Sequence, residues 1–214
     1  FYGKDGLKRF LGRLNFREGL KWFLPLLVFF LVIGLAGGFI GAAATGIEHD
    51  PKFWGWAWVA QVMLMQLLIP GMGEEFGWRA YLQPKLMPLG GRKAMLLMGL
   101  IWGVWHWPII LMGHNYGLDY PGAPYLGPLA MVWFTLTLGI FLGWVTLKGG
   151  SVWPAVIGHG AINGIASLGV LFARGEPNSL LGPLPTGIIG GLGFTLVALI
   201  IFISPRGLTE PEST

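Results

Sequence analysis

The chain contains no cysteine, which excludes disulfides, cysteine nucleophiles and thiolate metal sites. Charge is nearly as scarce: Asp, Glu, Lys and Arg make up 11% of the 214 residues, while 54% are hydrophobic. No H-E-x-x-H run is present, so the sequence does not support that metalloprotease class. No Walker loop or dinucleotide fingerprint supports energy coupling or redox chemistry. A serine nucleophile has no candidate, because Ser151 and Ser167 stand eight residues either side of His159, out of its reach along a helix. Internal repeats and low-complexity linkers are also missing, so one bundle is the default organisation.

What is present is length without charge. Uncharged stretches run 22–47, 53–73, 94–118, 120–147, 149–173 and 177–205. Each supplies the roughly 20 residues that a helix needs to cross hydrocarbon. The reading is an all-α polytopic integral membrane protein of about six transmembrane helices. Residues 22–205 form the bundle, 1–21 a basic interfacial segment and 206–214 a disordered tail. The run "GHNYGLDYPGAPYLG" at 113–127 is loop-like and uses up the ends of two stretches, and the chain near Pro70 is a place where a helix breaks and resumes.

Of the 14 lysines and arginines, all but Lys52 and Arg174 fall on one side of this topology. They are Lys4, Lys8, Arg9, Arg13, Arg17 and Lys21 before the first span, Arg79, Lys85, Arg92 and Lys93 between the second and third, then Lys148 and Arg206. The positive-inside rule makes that side cytoplasmic, with both termini inside. The +4 net charge is thus a topology signal, and no nucleic-acid partner is implied. Phe at position 1 points to a processed or incomplete chain, and an odd number of missing upstream spans would put residue 1 on the far side. Within 1–21, Phe10, Leu11, Leu14 and Leu20 stand among basic residues. This suits a helix on an anionic membrane surface and, equally, a solvated lead-in to the first span. Gly34 with Gly38, and Gly37 with Gly41, are four apart in the first span and read as helix packing. His49, in the 46–52 loop, and His114, beside "GHNYG", read as outer-loop residues.

Inside the spans few ionisable groups remain: Glu74 and Glu75 at the end or continuation of the second, His106 in the third and His159 in the fifth. Lipid-facing charge is expensive, so such groups face a bundle interior or a wet cavity. Adjacent helical residues point about 100° apart, so the two glutamates have different jobs. Glu75 and Arg79 are four apart and pair along one face. Glu74 is then the freer group and the candidate base, the opposite assignment staying open. Trp102 and His106 share a face, and Pro108 bends the helix just beyond them. His106 lies about 13 residues, some 20 Å, beyond Lys93, deeper than the glutamates, so the glutamate helix must re-enter or the third span must start late. His159 and Asn163 share a face among small residues and are donors suited to an oxyanion. Each element has a bland counterpart: interhelical glue for the histidines and the amide, an interfacial salt bridge for Glu75 and Arg79. The conjunction on three helices favours chemistry.

Two mechanisms use this set. Glu74, His106 and His159 are natural zinc ligands from separate helices. A water-activating carboxylate helped by one histidine, with a second histidine and an asparagine holding the tetrahedral intermediate, uses every member without a metal and amounts to amide hydrolysis with no covalent intermediate.

The motifs "EEFGWR" (74–79), "WGVWH" (102–106) and "HGAIN" (159–163), in that order, resemble the CAAX protease and bacteriocin-processing family, the Abi or CPBP intramembrane glutamic endopeptidases, which include the type II CAAX prenyl endopeptidases. The resemblance spans 74–163. It implies that Glu74 and His106 activate water, that His159 and Asn163 form an oxyanion hole, and that Glu75 and Arg79 are supports. It also implies a buried catalytic cavity in the cytoplasmic half, open to membrane and water, and a helix rather than a loop over 72–87. Trp102 departs from the phenylalanine common in that family while keeping a large aromatic there.

The sequence reading is thus an intramembrane peptidase of a prokaryotic plasma membrane, with its site toward the cytoplasm and no cofactor. Its partners are membrane lipids and a hydrophobic or lipidated peptide, either a prenylated CAAX-type C-terminus or a leader peptide; oligomeric state is left open. The rival readings are a non-catalytic binding or immunity protein of the same fold, a zinc-dependent membrane protease and a small-molecule transporter.

Overall fold

The computed structural model describes residues 3–45, 64–164 and 178–209, and all regular structure among them is helical. The order is α1 (Gly3–Gly12), α2 (Phe16–Thr45), α3 (64–86), a short 3-10 turn at Met87–Leu89, α4 (Gly91–Trp105), α5 (Trp107–Leu111), α6 (Leu126–Gly149), α7 (Trp153–Gly164) and α8 (Leu192–Ile203). The 46–52 loop with His49, the first part of the expected 53–73 span, residues 165–173 of the fifth, Lys52, Arg174 and the tail 210–214 lie outside the described residues.

Three stretches are long and apolar enough to cross a membrane: Lys4–Gly37, whose apolar part is α2, then Gly91–Leu111 and Leu126–Gly149. The chain is an integral membrane protein built on these helices. Of the six expected spans, only these three reach that length among the described residues. The expected span 177–205 is helical only from Leu192, a shorter apolar helix. Pro183, Pro185 and the glycines around them turn 178–191 into a compact loop instead. The third expected span also stops early, at Leu111, where 112–125 becomes a chain of turns.

Helix α6 is the hub, packed against α2, α4, α5, α7 and α8. Leu138, Leu142 and Val145 along it are completely buried. Its contact with α4 depends on missing side chains. A Cβ at Gly99 would lie 2.8 Å from the Cα of Leu136, and one at Gly103 would lie 2.7 Å from the Cα of Val132 and 2.6 Å from Thr135 Oγ1. With the backbones this close, the Thr135 hydroxyl lies 2.9 Å from the Gly99 carbonyl as well as from Met131 O on its own helix. Such close approach replaces the hydrophobic driving force that helices lose in lipid. Of the glycines noted in the first span, Gly37 meets a loop rather than a helix, since its Cβ would lie 2.6 Å from Gly190 O.

The joints sort the bundle into two ends. At one, Val152 N donates to Arg13 O at 2.9 Å and Ser151 Oγ to Asn15 O at 2.9 Å, fastening the α1–α2 turn to the α6–α7 turn. Phe10 of α1 and Leu14 of the α1–α2 turn pack there against Ala80, Val152 and Val156, while Leu7 and Leu11 stay exposed. At the same end Arg92 caps α8 through Phe202 O at 2.7 Å, and Lys148 Nζ donates to Arg206 O at 2.9 Å. Residues 206–209, expected to begin a disordered tail, are held in turns there with Leu208 buried. At the opposite end the 112–125 and 178–191 loops meet: Tyr116 Oη donates to Thr186 O at 2.8 Å and Ser179 Oγ to Tyr116 O at 2.7 Å.

The α4–α6 contact generates a paired prediction. Gly103→Ala forces two backbones apart and lowers stability by about 1–3 kcal/mol. Gly139→Ala, whose Cβ would meet nothing nearer than 3.6 Å, keeps wild-type stability or gains from better helix propensity. Thermal unfolding of the two variants in detergent should separate them in that order.

Candidate active site

The site begins with the geometry of α3. Pro70 lacks the N–H that an α-helix needs, and around it the chain widens into π-helical turns over Leu67–Met72, returns to α at Gly73–Glu75, and widens again over Phe76–Leu82. The helix expected over 72–87 is thus present through residue 86. Gly71 lets it press on α7, since a Cβ there would lie 2.9 Å from Val156 O.

The two glutamates diverge as their adjacency requires. Glu75 is fully buried, and its Oε1 accepts from Arg79 Nη1 and from His159 Nδ1, both at 2.7 Å. The expected pairing with Arg79 is present; the bond to His159 on α7 was not legible. Arg79 is also buried and stacks its guanidinium 4.5 Å from the Trp102 ring centroid. Glu74 is half-buried and is not without partners: its Oε2 accepts from Trp102 Nε1 at 2.7 Å and from Trp78 Nε1 at 3.3 Å. The indoles leave Oε1 for another ligand. Trp102, where a phenylalanine is common in the family resembled, therefore supplies a donor that phenylalanine lacks.

The histidines are oriented by their Nδ1 atoms. His106 stands between α4 and α5, and Pro108 is the second residue of α5, so the helix is interrupted at the histidine. Its Nδ1 lies 2.8 Å from Trp102 O. A carbonyl can only accept, so Nδ1 carries the proton and Nε2 of the neutral ring is an acceptor. Trp105 packs edge-on against this ring at 4.9 Å between centroids. His159 is buried, and its Nδ1 likewise donates, to Glu75. The pairing places an anion behind the ring, where it offsets the charge of an imidazolium.

Glu74, Trp102, His106, His159 and Asn163 line one cavity of about 360 Å³. The depth mismatch between glutamates and His106 is resolved by α3, which carries Glu74 up to Trp102, one turn before His106. Glu75 and Arg79 stand behind the wall and do not line it. Sequence reasoning set His114 aside as a loop residue, yet it lines the cavity with Asn115, Gln66 and Thr186. The available signal was "GHNYG": Gly113 and Gly117 both adopt positive φ, as does Asn115 at 66°, and fold the loop back over the cavity. Among the described residues no group of three or more His, Asp or Glu is arranged to hold a metal ion.

Comparison with known proteins places these motifs in context. The family profile described as "Type II CAAX prenyl endopeptidase Rce1-like" matches residues 55–165, more than half of the chain and the whole interval from Glu74 to Asn163. The protein named CAAX prenyl protease 2 from Methanococcus maripaludis is 32% identical over 103 residues, which cover 47% of this chain and 38% of that relative. The matched segment thus spans well under half of the relative's length. With the match to the family profile covering all three motifs, the chain belongs to the type II CAAX prenyl endopeptidase Rce1-like family.

Proposed function

We propose that the chain is a membrane endopeptidase that hydrolyses a peptide bond with water activated by Glu74 and His106, without a metal or a covalent intermediate. The observation that carries this reading is the single cavity onto which Glu74, His106, His159 and Asn163 all face. Family membership and the name of the archaeal relative support the reaction class.

The chemistry follows from the free atoms. A water between Glu74 Oε1 and His106 Nε2 gives its proton to the carboxylate as its oxygen bonds to the substrate carbonyl carbon. The carbonyl electrons move onto oxygen, where His159 Nε2–H and the Asn163 amide N–H donate to the oxyanion. His159 can donate from Nε2 only with both ring nitrogens protonated, and Glu75 offsets that charge. Collapse of the intermediate breaks the C–N bond, and the proton held by Glu74 passes to the leaving amine. The substrate is a hydrophobic or lipidated peptide, in keeping with the apolar cavity walls Met131, Phe134, Ile162 and Leu184.

Three outcomes are expected. In membranes matched for protein abundance, Glu74→Gln abolishes new peptide termini seen by quantitative mass spectrometry with wild type; identical termini from both would favour the non-catalytic binding or immunity reading. Glu75→Ala instead leaves Arg79 buried without its anion and costs about 3–5 kcal/mol of stability, read as a lower unfolding temperature, whereas Glu74→Gln unfolds like wild type. Exhaustive chelation leaves the rate of terminus formation unchanged, and a loss restored by added zinc would return Glu74, His106 and His159 to the role of ligands.

A further inference from the structure

We infer that the pocket between α1 and the last turns of α3 binds the phosphate of an anionic membrane-lipid headgroup. The site is separate from the cavity that holds Glu74, and the inference does not rest on the peptidase reading.

Two helical stripes face each other at this pocket. Gly6, Arg9 and, just past the helix end, Arg13 recur along α1 at spacings of three and four, while Tyr81 and Lys85 stand four apart on α3. The space they enclose with their neighbours is about 240 Å³. Arg9, Arg13 and Lys85 bring three positive charges to it, and among the described residues no aspartate or glutamate lines it. Asp5, one turn before Arg9, is exposed and outside the lining. Among the described residues Arg9 makes no hydrogen bond or ion pair. Lys85 Nζ is held 4.6 Å from the Tyr81 ring centroid, a contact that leaves its charge in place. Phosphate suits such a set, because a guanidinium donates two parallel N–H bonds to its oxygens and a lysine adds a point charge.

The pocket is built before any ligand arrives. Arg13 O accepts from Val152 N at 2.9 Å, and Trp153 Nε1 donates to Leu14 O at 3.0 Å. Phe10, which also lines the pocket, packs against Ala80, Val152 and Val156. These contacts hold α1 to α3 and to the α6–α7 turn, so binding has little chain left to order. Gly6 contributes no side chain and leaves the space open beside Arg9.

Position favours a lipid over a soluble anion. Helix α1 turns directly into α2, the first membrane-crossing stretch. Leu7 and Leu11 are exposed, each two positions from an arginine of the pocket and so on another face of α1. Phe16 and Leu20, in the first turns of α2, are exposed as well. Exposed apolar residues interleaved with basic ones mark a helix lying in the membrane interface, at the depth of the headgroups. A headgroup bound there braces the end of α3, the helix that carries Glu74 and Glu75.

The test follows thermal unfolding of the full chain in an uncharged detergent as short-chain lipid is added. Dihexanoyl phosphatidylglycerol should raise the midpoint saturably, and dihexanoyl phosphatidylcholine, whose choline offsets its phosphate, should not. Arg9→Gln combined with Arg13→Gln should weaken apparent affinity by about ten- to thirtyfold. Lys4→Gln combined with Lys8→Gln removes the same charge from the same helix outside the pocket and should change affinity by about twofold or less. Gly6→Leu fills the opening, keeps every charge and improves helix propensity. It should weaken binding too, and it decides the matter where the arginine pair fails to fold. Equal losses in the arginine and lysine pairs, unchanged binding by Gly6→Leu, or equal stabilisation by both lipids would reveal attraction to surface charge without a site and overturn the inference. Inorganic phosphate is the second arm and should neither stabilise the chain nor displace phosphatidylglycerol. Protection by inorganic phosphate equal to that by the lipid would keep the anion site and overturn the lipid as its occupant.

Discussion

The structure turns on one carboxylate oxygen. Glu75 Oε1, with no solvent exposure, receives both the Arg79 guanidinium and the His159 imidazole. A charge in an apolar bundle is tolerable only when paired, and removing one partner costs more than the pair is worth. This constraint ties α3 to α7 at a defined height and rotation. It also fixes which nitrogen of His159 is left for the cavity. Arg79 then stacks on Trp102, and Trp102 donates to Glu74, so a single chain of contacts runs from the buried ion pair to the candidate base.

That chain of contacts can form only because the backbones come close. Gly99 and Gly103 remove side chains between α4 and α6, and Gly71 does so between α3 and α7. The π-helical turns of α3 flank the α-helical step Gly73–Glu75, where adjacent side chains point about 100° apart, so Glu74 and Glu75 reach different neighbours within one helix. Small residues and helical irregularity thus serve the same end, the placement of polar groups where no water can correct a misfit.

Among the described residues, the lysines and arginines other than the buried Arg79 lie away from the cavity. Loops that position polar groups over the cavity, such as 113–117 and 184–186, are free of lysine and arginine. Arg92, at the start of α4, instead caps the end of α8.

The sequence by itself determined the class and the cast. Uncharged stretches marked α2, α4 and α6 because length and apolarity are local properties, and the separation of Glu74 from Glu75 followed from helical geometry. The Glu75–Arg79 pair and the helix interruption at His106 were equally local, set by residues four apart and by the nearby Pro108. Span ends were less legible, because Pro183 and Pro185 leave the stretch uncharged while denying the helix its hydrogen bonds. Tertiary structure alone decided the bond from Glu75 to His159, the two indoles on Glu74, and the return of His114 to the cavity. These join residues far apart in the chain, and hydrogen-bond direction across a helix interface depends on rotation and depth, which no spacing encodes. Depth also decided where the cavity lies, because the half of the bundle a group occupies follows from how its helices cross, and side-chain chemistry carries no record of that.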